Sequence, residues 1–238
     1  MPLTLRHADY LQGSFEWTSR DADNVYVDGA GLHLVPTLTT ETTTFTEADI
    51  LSGGILNLTV DGVCTGVSVS DCSVRANTTS GEIINPVRSG RISTKGKKTI
   101  KYGKIEVVAK LPAGDWLWPA IWMMPDADVY GSWPQSGEID IAEARGNDPD
   151  KLDGGRDQIS STLHWGPNSD EDGYWRTLGL KKLPRTDYSK AFHTFGLEWS
   201  PKYIFTYLDS RLLVGRCRRC STSFFDPYYF SLFLFGNY

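Results

Sequence analysis

Three carboxyl side chains lie close together in the run Trp133-Pro-Gln-Ser-Gly-Glu-Ile-Asp-Ile-Ala-Glu143, at Glu138, Asp140 and Glu143. On a regular strand, side chains alternate between two faces, so Glu143 would point away from the other two. One extra residue in a β-bulge would return Glu143 to the face of Glu138 and Asp140, and bulges are frequent at active sites. The intervening isoleucines would then pack into the core.

Three carboxyls on one face repel one another, so we expect their pKa values to differ. Glycosidic bond cleavage needs such a difference in pKa, because one carboxyl must carry a proton that it can donate while the other must be ionised. A retaining reaction requires its two carboxyls to be roughly 5–5.5 Å apart. Strand curvature would have to draw Glu138 and Glu143 together across about 13 Å of extended backbone. Taken alone, the same three residues also suit an acidic edge strand without any chemistry.

The elements that must position this run are short strands from one end of the chain to the other. The clearest strand patterns, several bounded by Gly, Pro or Asp turns, cover residues 25–27, 32–35, 103–111, 138–142, 160–164, 193–199 and 203–208. No amphipathic helix of ten residues or more is predicted. Such a pattern favours an all-β sandwich or jelly roll over a parallel α/β sheet.

Length and composition fit one large domain, since 238 residues with 40% apolar side chains can bury a substantial core. Eight Trp, eleven Tyr and ten Phe exceed what a core requires and suggest a carbohydrate or another ring-shaped ligand, although aromatic-rich cores offer a plainer explanation. The net charge is −5 and Lys95-Gly-Lys-Lys98 is typical of a solvated turn, so we expect no nucleic-acid partner. No segment is long enough to span a membrane.

Cysteine spacing bears on the compartment. Cys64 and Cys72 lie in a Gly-, Ser- and Asp-rich stretch that predicts a disulfide-closed loop, with two reduced thiols as the alternative. The glycosylation tripeptides at Asn57 and Asn77 also favour secretion. The first seven residues, however, lack the apolar region of a signal peptide. A further pair in Cys217-Arg-Arg-Cys220 is by itself weak evidence for a redox or metal site.

The run 133–143 closely resembles the family-16 glycoside hydrolases, in particular the laminarinase-type endo-1,3(4)-β-glucanases. Trp118-Pro-Ala-Ile-Trp-Met123 and Ser161-Thr-Leu-His-Trp165 extend the resemblance, which covers about residues 15–213. The related β-glucan-binding proteins of insects and crustaceans are similar as well. The resemblance implies an all-β, concanavalin-like jelly-roll sandwich with a substrate cleft on its concave face.

Residue roles follow from the same resemblance. It implies that Glu138 is the nucleophile, that Glu143 is the general acid/base, and that Asp140 between them helps to set their protonation states. The implied substrate-binding residues are Trp118, Trp122, Trp133, His164 and Arg91. Trp122, in an Ile-Trp-Met context, equally suits a core position.

The implied activity is retaining hydrolysis of internal β-1,3 or mixed 1,3/1,4 linkages in a β-glucan polysaccharide. We expect an extracellular monomer without membrane partner, cofactor or catalytic metal, since no segment has the ligand density of a metal site. A non-catalytic glucan-recognition protein, an inactive truncated product and a transglycosylase remain alternatives.

The resemblance ends abruptly after Leu213. We therefore predict that residues 1–215 form the sandwich domain, incomplete and lacking its C-terminal strands. Residues 216–238 are predicted to be a divergent aromatic tail translated from a wrong frame or an intron. Recovering a peptide from this tail by mass spectrometry of the native protein would contradict that hypothesis.

Overall fold

A computed structural model of the chain describes residues 15–60, 62–64, 71–216 and 230–235. The described residues divide into two compact units, one containing those between 15 and 92 together with Phe235, the other residues 93–216 and 230–234. Cys217 and Cys220 lie outside the described residues. The three carboxyls at 138, 140 and 143 all belong to the second unit.

The first unit carries, among its described residues, two very short helices and strands that are paired in small groups. These elements are β1 (Glu16–Ser19), β2 (Val25–Asp28), β3 (Gly31–Leu34), β4 (Thr37–Leu38), α1 (Thr39–Thr42), α2 (Glu47–Leu51), β5 (Ile55–Asn57), β6 (Ser73–Arg75) and β7 (Val87–Ser93). β1 is parallel and β4 antiparallel to β7, while β2–β3 and β5–β6 are antiparallel pairs. The β2–β3 pair corresponds to the strands predicted at residues 25–27 and 32–35.

A disulfide joins Cys64 and Cys72 in this unit, with the two Cα atoms 5.6 Å apart. Cys72 is buried in a core that includes Trp17, Leu56 and Ile84. Disulfides of this kind stabilise mainly by restricting the unfolded chain. The predicted disulfide is confirmed.

The second unit is built from strands that form two sheets. Its strands are β8 (Gly103–Ala109), β9 (Ala120–Pro125), β10 (Glu138–Ala144), β11 (Gln158–His164), β12 (Gly179–Lys182), β13 (His193–Ser200), β14 (Tyr203–Leu208), β15 (Arg211–Arg216) and β16 (Phe230–Phe235). One sheet has the order β16-β9-β10-β11-β12 within this unit, and the other has the order β15-β14-β13-β8. The alternating patterns predicted for β8, β13 and β14 therefore mark true strands.

On β13 and β14, every second side chain points into the core of this unit. On β13, Phe195, Leu197 and Trp199 are buried, whereas Glu198 is half-exposed. The same alternation on β14 buries Ile204 and Leu208 in the same cluster. Burial of side chains of this size contributes roughly 1.5–3 kcal/mol each. β10 packs against this core through its own buried side chains.

β16 lies in the segment that was predicted to be a divergent tail. Phe230 is buried, and its ring meets Trp199 edge-on with centroids 5.6 Å apart. The backbone N–H of Leu232 donates to Oγ1 of Thr94 at 2.9 Å. The segment thus contributes a packed strand to the second unit. The origin of residues 216–238 stays a prediction.

Candidate active site

The bulge in β10 decides which side chains share a face. The register shifts between Asp140 and Ala142 on the β9 side, and between Asp140 and Glu143 on the β11 side. Ile139, Ile141 and Ala142 all belong to the buried core, so two consecutive residues point inward. This is the irregularity that a bulge introduces. The predicted bulge is confirmed, and Glu143 returns to the side of the other carboxyls.

A tryptophan N–H donates to each glutamate of the site. Nε1 of Trp133 donates to Oε2 of Glu138 at 2.5 Å, and Nε1 of Trp118 donates to Oε1 of Glu143 at 3.0 Å. Trp118 is 52% exposed and Trp133 is 40% exposed. Each ring therefore offers apolar surface to solvent directly beside a carboxyl, as stacking against a sugar ring would require. Both tryptophans are among the residues predicted from the sequence.

His164 lies between two carboxylates. It is the cross-strand partner of Glu138, and its Nε2 lies 3.1 Å from Oδ2 of Asp140. Its Nδ1 lies 2.5 Å from Oδ2 of Asp172. The Trp133 and Tyr174 rings flank the imidazole, with centroids 5.5 and 5.7 Å from its own. The predicted cleft histidine is thus held on four sides.

Trp122 and Arg91 are the other two predicted binding residues. Trp122 is the partner of Asp140 across β9 and β10, and opposed residues project from the same face of a sheet. It is half-buried beside the acidic cluster, so it faces the site and not the core. Arg91 lies on β7 of the first unit, where its charge acts on Glu16. Its role in binding stays a prediction.

A cavity of about 600 Å³ extends from Glu143 along the second unit. Trp116, Trp118, Arg145 and Leu180 are among the residues that line it. Aromatic and aliphatic side chains with a few polar groups among them are typical of small-molecule pockets. Sequence reasoning missed Trp116, although its position two residues before Trp118 could have indicated it. It also missed Tyr174 and Asp172, which no motif marks.

Burial and neighbouring charge shift the pKa values of the site. Desolvation, reinforced by the Asp140 charge, raises the pKa of Glu138 to about 8 and that of Glu143 to about 7. Burial alone would lower the pKa of His164, but its contacts with Asp140 and Asp172 outweigh burial and raise it to about 9. Both glutamates shift in the same direction, so the electrostatics of the free site do not assign their roles.

We expect Glu138→Gln to stabilise the protein at pH 9 but hardly at pH 5. A carboxyl whose folded pKa is raised holds its proton at low pH, and its contribution to stability is lost as the pH rises from about 4.5 towards 8. At pH 9 the variant should be ~2 kcal/mol more stable to unfolding than the parent protein. This is less than the free energy equivalent to the whole pKa shift, because Glu138 is only half-buried. Thermal unfolding of both proteins at the two pH values measures this, and an equal difference at both would contradict it.

Within residues 15–60, 62–64, 71–216 and 230–235, no group of three or more His, Cys, Asp or Glu side chains is arranged to hold a metal ion. The helices found in that part of the chain are too short and too polar to cross a bilayer.

The sequence matches known proteins over most of its length. A family described as Glycosyl hydrolases family 16 matches residues 38–224. A β-1,3-glucan-binding protein of Penaeus monodon is 41% identical over 191 residues, covering 79% of this chain and 50% of that protein. A glucan endo-1,3-β-glucosidase of Cryptopygus antarcticus is 44% identical over 135 residues, covering 56% and 46% of the two chains. The chain thus spans about half the length of either relative.

A solved structure shares the fold. The laminarinase from Rhodothermus marinus superposes with a TM-score of 0.68 at 22% identity, covering 99% of this chain and 78% of that chain. At this level of sequence identity, the similarity is evidence for the fold alone. The predicted all-β jelly-roll sandwich is confirmed.

Proposed function

Because the chain belongs to family 16 of the glycosyl hydrolases, we propose that it hydrolyses internal β-1,3-glucosidic linkages of β-glucans with retention of configuration. The observation that carries the proposal is the bulged strand β10, which turns Glu138, Asp140 and Glu143 to one side. Exposed tryptophans beside both glutamates support a sugar polymer as the substrate. The endo-1,3-β-glucosidase among the relatives supports the linkage.

The reaction proceeds in two displacements. The carboxylate of Glu138 attacks the anomeric carbon while the acid form of Glu143 gives its proton to the departing glycosidic oxygen. The bond between sugar and leaving group breaks, and an ester links the sugar to Glu138. The carboxylate of Glu143 then takes a proton from water, whose oxygen attacks the anomeric carbon and releases Glu138. Net inversion at each step gives overall retention.

The site residues divide this work. Trp133 and the charged form of His164 both favour the carboxylate form of Glu138, because each lowers its pKa against the larger effect of burial. Asp140 acts in the opposite direction on both glutamates and thus helps Glu143 to keep its proton. The exposed faces of Trp118 and Trp133 hold sugar rings on either side of the scissile bond.

Recognition of β-glucan without hydrolysis is the second candidate function. The relative from Penaeus monodon, which is named a β-1,3-glucan-binding protein, favours it. The retention of both Glu138 and Glu143 favours hydrolysis, since a protein that only binds glucan has no use for a paired acid and carboxylate. Hydrolysis of mixed 1,3/1,4 linkages and transglycosylation would use the same residues, so these residues do not distinguish between the reactions.

Incubation of the protein with laminarin distinguishes the two candidates. We expect new reducing ends to accumulate, and proton NMR of the first products to show the β-anomer before mutarotation. Binding to laminarin without release of reducing ends would support the recognition function instead. An α-anomer as the first product would contradict the retaining mechanism.

A further inference from the structure

Asp172 is a buried carboxylate on the loop that follows β11. Its side chain is only 6% exposed. Oδ2 lies 2.5 Å from Nδ1 of His164, while Oδ1 accepts the backbone N–H groups of Trp165 and Tyr174, both at 3.1 Å. Both carboxylate oxygens are therefore committed, one to the loop backbone and one to the imidazole. Asp172 cannot turn without breaking all three contacts.

The imidazole continues this chain of contacts towards the reacting groups. With Asp172 at Nδ1, the opposite ring nitrogen Nε2 faces Oδ2 of Asp140 at 3.1 Å. The negative charge beside each ring nitrogen favours the doubly protonated, charged form of the imidazole, with a hydrogen bond at Nδ1 and an ion-pair contact at Nε2. Because the ring is also flanked by Trp133 and Tyr174, its plane is fixed as well as its protonation.

We propose that Asp172 is a positioning residue of the active site, which holds His164 protonated and oriented so that the imidazolium pairs with Asp140 between the two catalytic glutamates. This inference rests on the proposed function, for it assigns a further residue to the same site. Asp172 itself does not touch the substrate. It acts on Glu138 and Glu143 only through the ring of His164.

The charges around His164 determine in which direction the pH profile of activity should shift when Asp172 is replaced. The imidazole faces Asp140 and Glu138 from β10 and Asp172 from its own loop. The His164 charge lowers the pKa of both Glu138 and Glu143. Without Asp172, His164 would lose its proton at lower pH, and both glutamates would then retain theirs to higher pH. The acidic limb of the activity profile, where Glu138 ionises, should therefore move upward.

Asp172→Asn separates this electrostatic role from the structural one. Its amide oxygen can still accept the N–H groups of Trp165 and Tyr174, so the loop keeps its backbone contacts. Its NH₂ group would instead donate to Nδ1 of His164, leaving a neutral ring with its proton on Nε2. The variant thus removes a charge with little change in shape, and its thermal midpoint should stay close to that of the parent.

The first measurement needs no activity. In ¹⁵N NMR titrations, with the His164 signals assigned by their loss in His164→Gln, the pKa of His164 should lie well above 6.5 in the parent protein. It should fall by at least about 1 unit in Asp172→Asn. An unchanged His164 pKa in that variant would overturn the inference, whether or not the protein hydrolyses glucan.

The second measurement uses laminarin hydrolysis. We expect Asp172→Asn to lower kcat about tenfold, to leave KM nearly unchanged, and to shift the acidic limb of kcat/KM to higher pH. In a His164→Gln background the same substitution should have no further effect, because the group through which it acts is gone. Equal losses in both backgrounds would overturn the inference. A parent protein that hydrolyses no glucan would refute the proposed function, while the titration would still decide the role of Asp172.

Discussion

Glu138→Gln should lower the rate of laminarin hydrolysis by on the order of 10⁴-fold or more, because the amide cannot form the glycosyl ester through which the reaction passes. The amide oxygen can still accept the N–H of Trp133, so the surrounding site should keep its shape. Binding of laminarin, measured by calorimetry, should change little. Reducing-end assays over several hours measure the residual rate.

Glu198→Gln provides the matched control for this substitution. Glu198 lies on β13 in the other sheet of the same unit, where its Oε1 accepts the hydroxyl of Tyr203 at 2.6 Å. The control should hydrolyse laminarin at the rate of the parent protein. If Glu138→Gln retained more than a few per cent of the parent rate, Glu138 would not be the nucleophile.

Glu143→Gln should have an effect that depends on the leaving group. With laminarin, whose departing oxygen needs a proton, the rate should fall by about 10³-fold. With a dinitrophenyl β-laminaribioside, whose leaving group departs as an anion, formation of the glycosyl-enzyme should slow by less than about tenfold. Its breakdown then becomes limiting, because Glu143 no longer activates water.

Added azide tests this role, since azide is a nucleophile that needs no general base. With Glu143→Gln and the dinitrophenyl substrate, azide should restore turnover and yield the β-glycosyl azide. The same treatment of Glu138→Ala should yield the α-azide, because azide then attacks through the space that the Glu138 side chain leaves. A β-azide from Glu138→Ala and an α-azide from Glu143→Gln would mean that the two roles are exchanged.

Local pattern was sufficient to predict several of the strands and the bulge. Alternation in β8, β13 and β14 follows directly from a sheet with one buried face, and the predicted ranges agree with the observed ones to within two residues. The bulge could be foreseen because only an extra residue lets Glu143 join Glu138 while Ile139 and Ile141 remain in the core. Each of these inferences used residues close together in the chain.

The parts of the site that escaped prediction depend on loops. Asp172 reaches His164 through a loop with short 3₁₀ turns at Ser169–Glu171 and Tyr174–Arg176. Nothing in the spacing of the two residues indicates their contact, since a loop conformation has no sequence period. Trp116 also lies on a loop. Its φ is positive, at 70°, and no turn motif in the sequence predicts that conformation. Trp122 was predicted as a substrate-binding residue with a core position as the alternative, and the register in which β9 pairs with β10 decides between the two by placing it beside the acidic cluster.

The most direct test of the paired glutamates is to trap the covalent intermediate. A 2-deoxy-2-fluoro-laminaribiosyl fluoride should inactivate the protein, because the fluorine at C2 slows hydrolysis of the glycosyl ester more than its formation. Peptic digestion and mass spectrometry should then locate the added sugar on Glu138. A label on Glu143 or on any other residue would contradict the account, and so would α-configured first products from a protein that takes up no label.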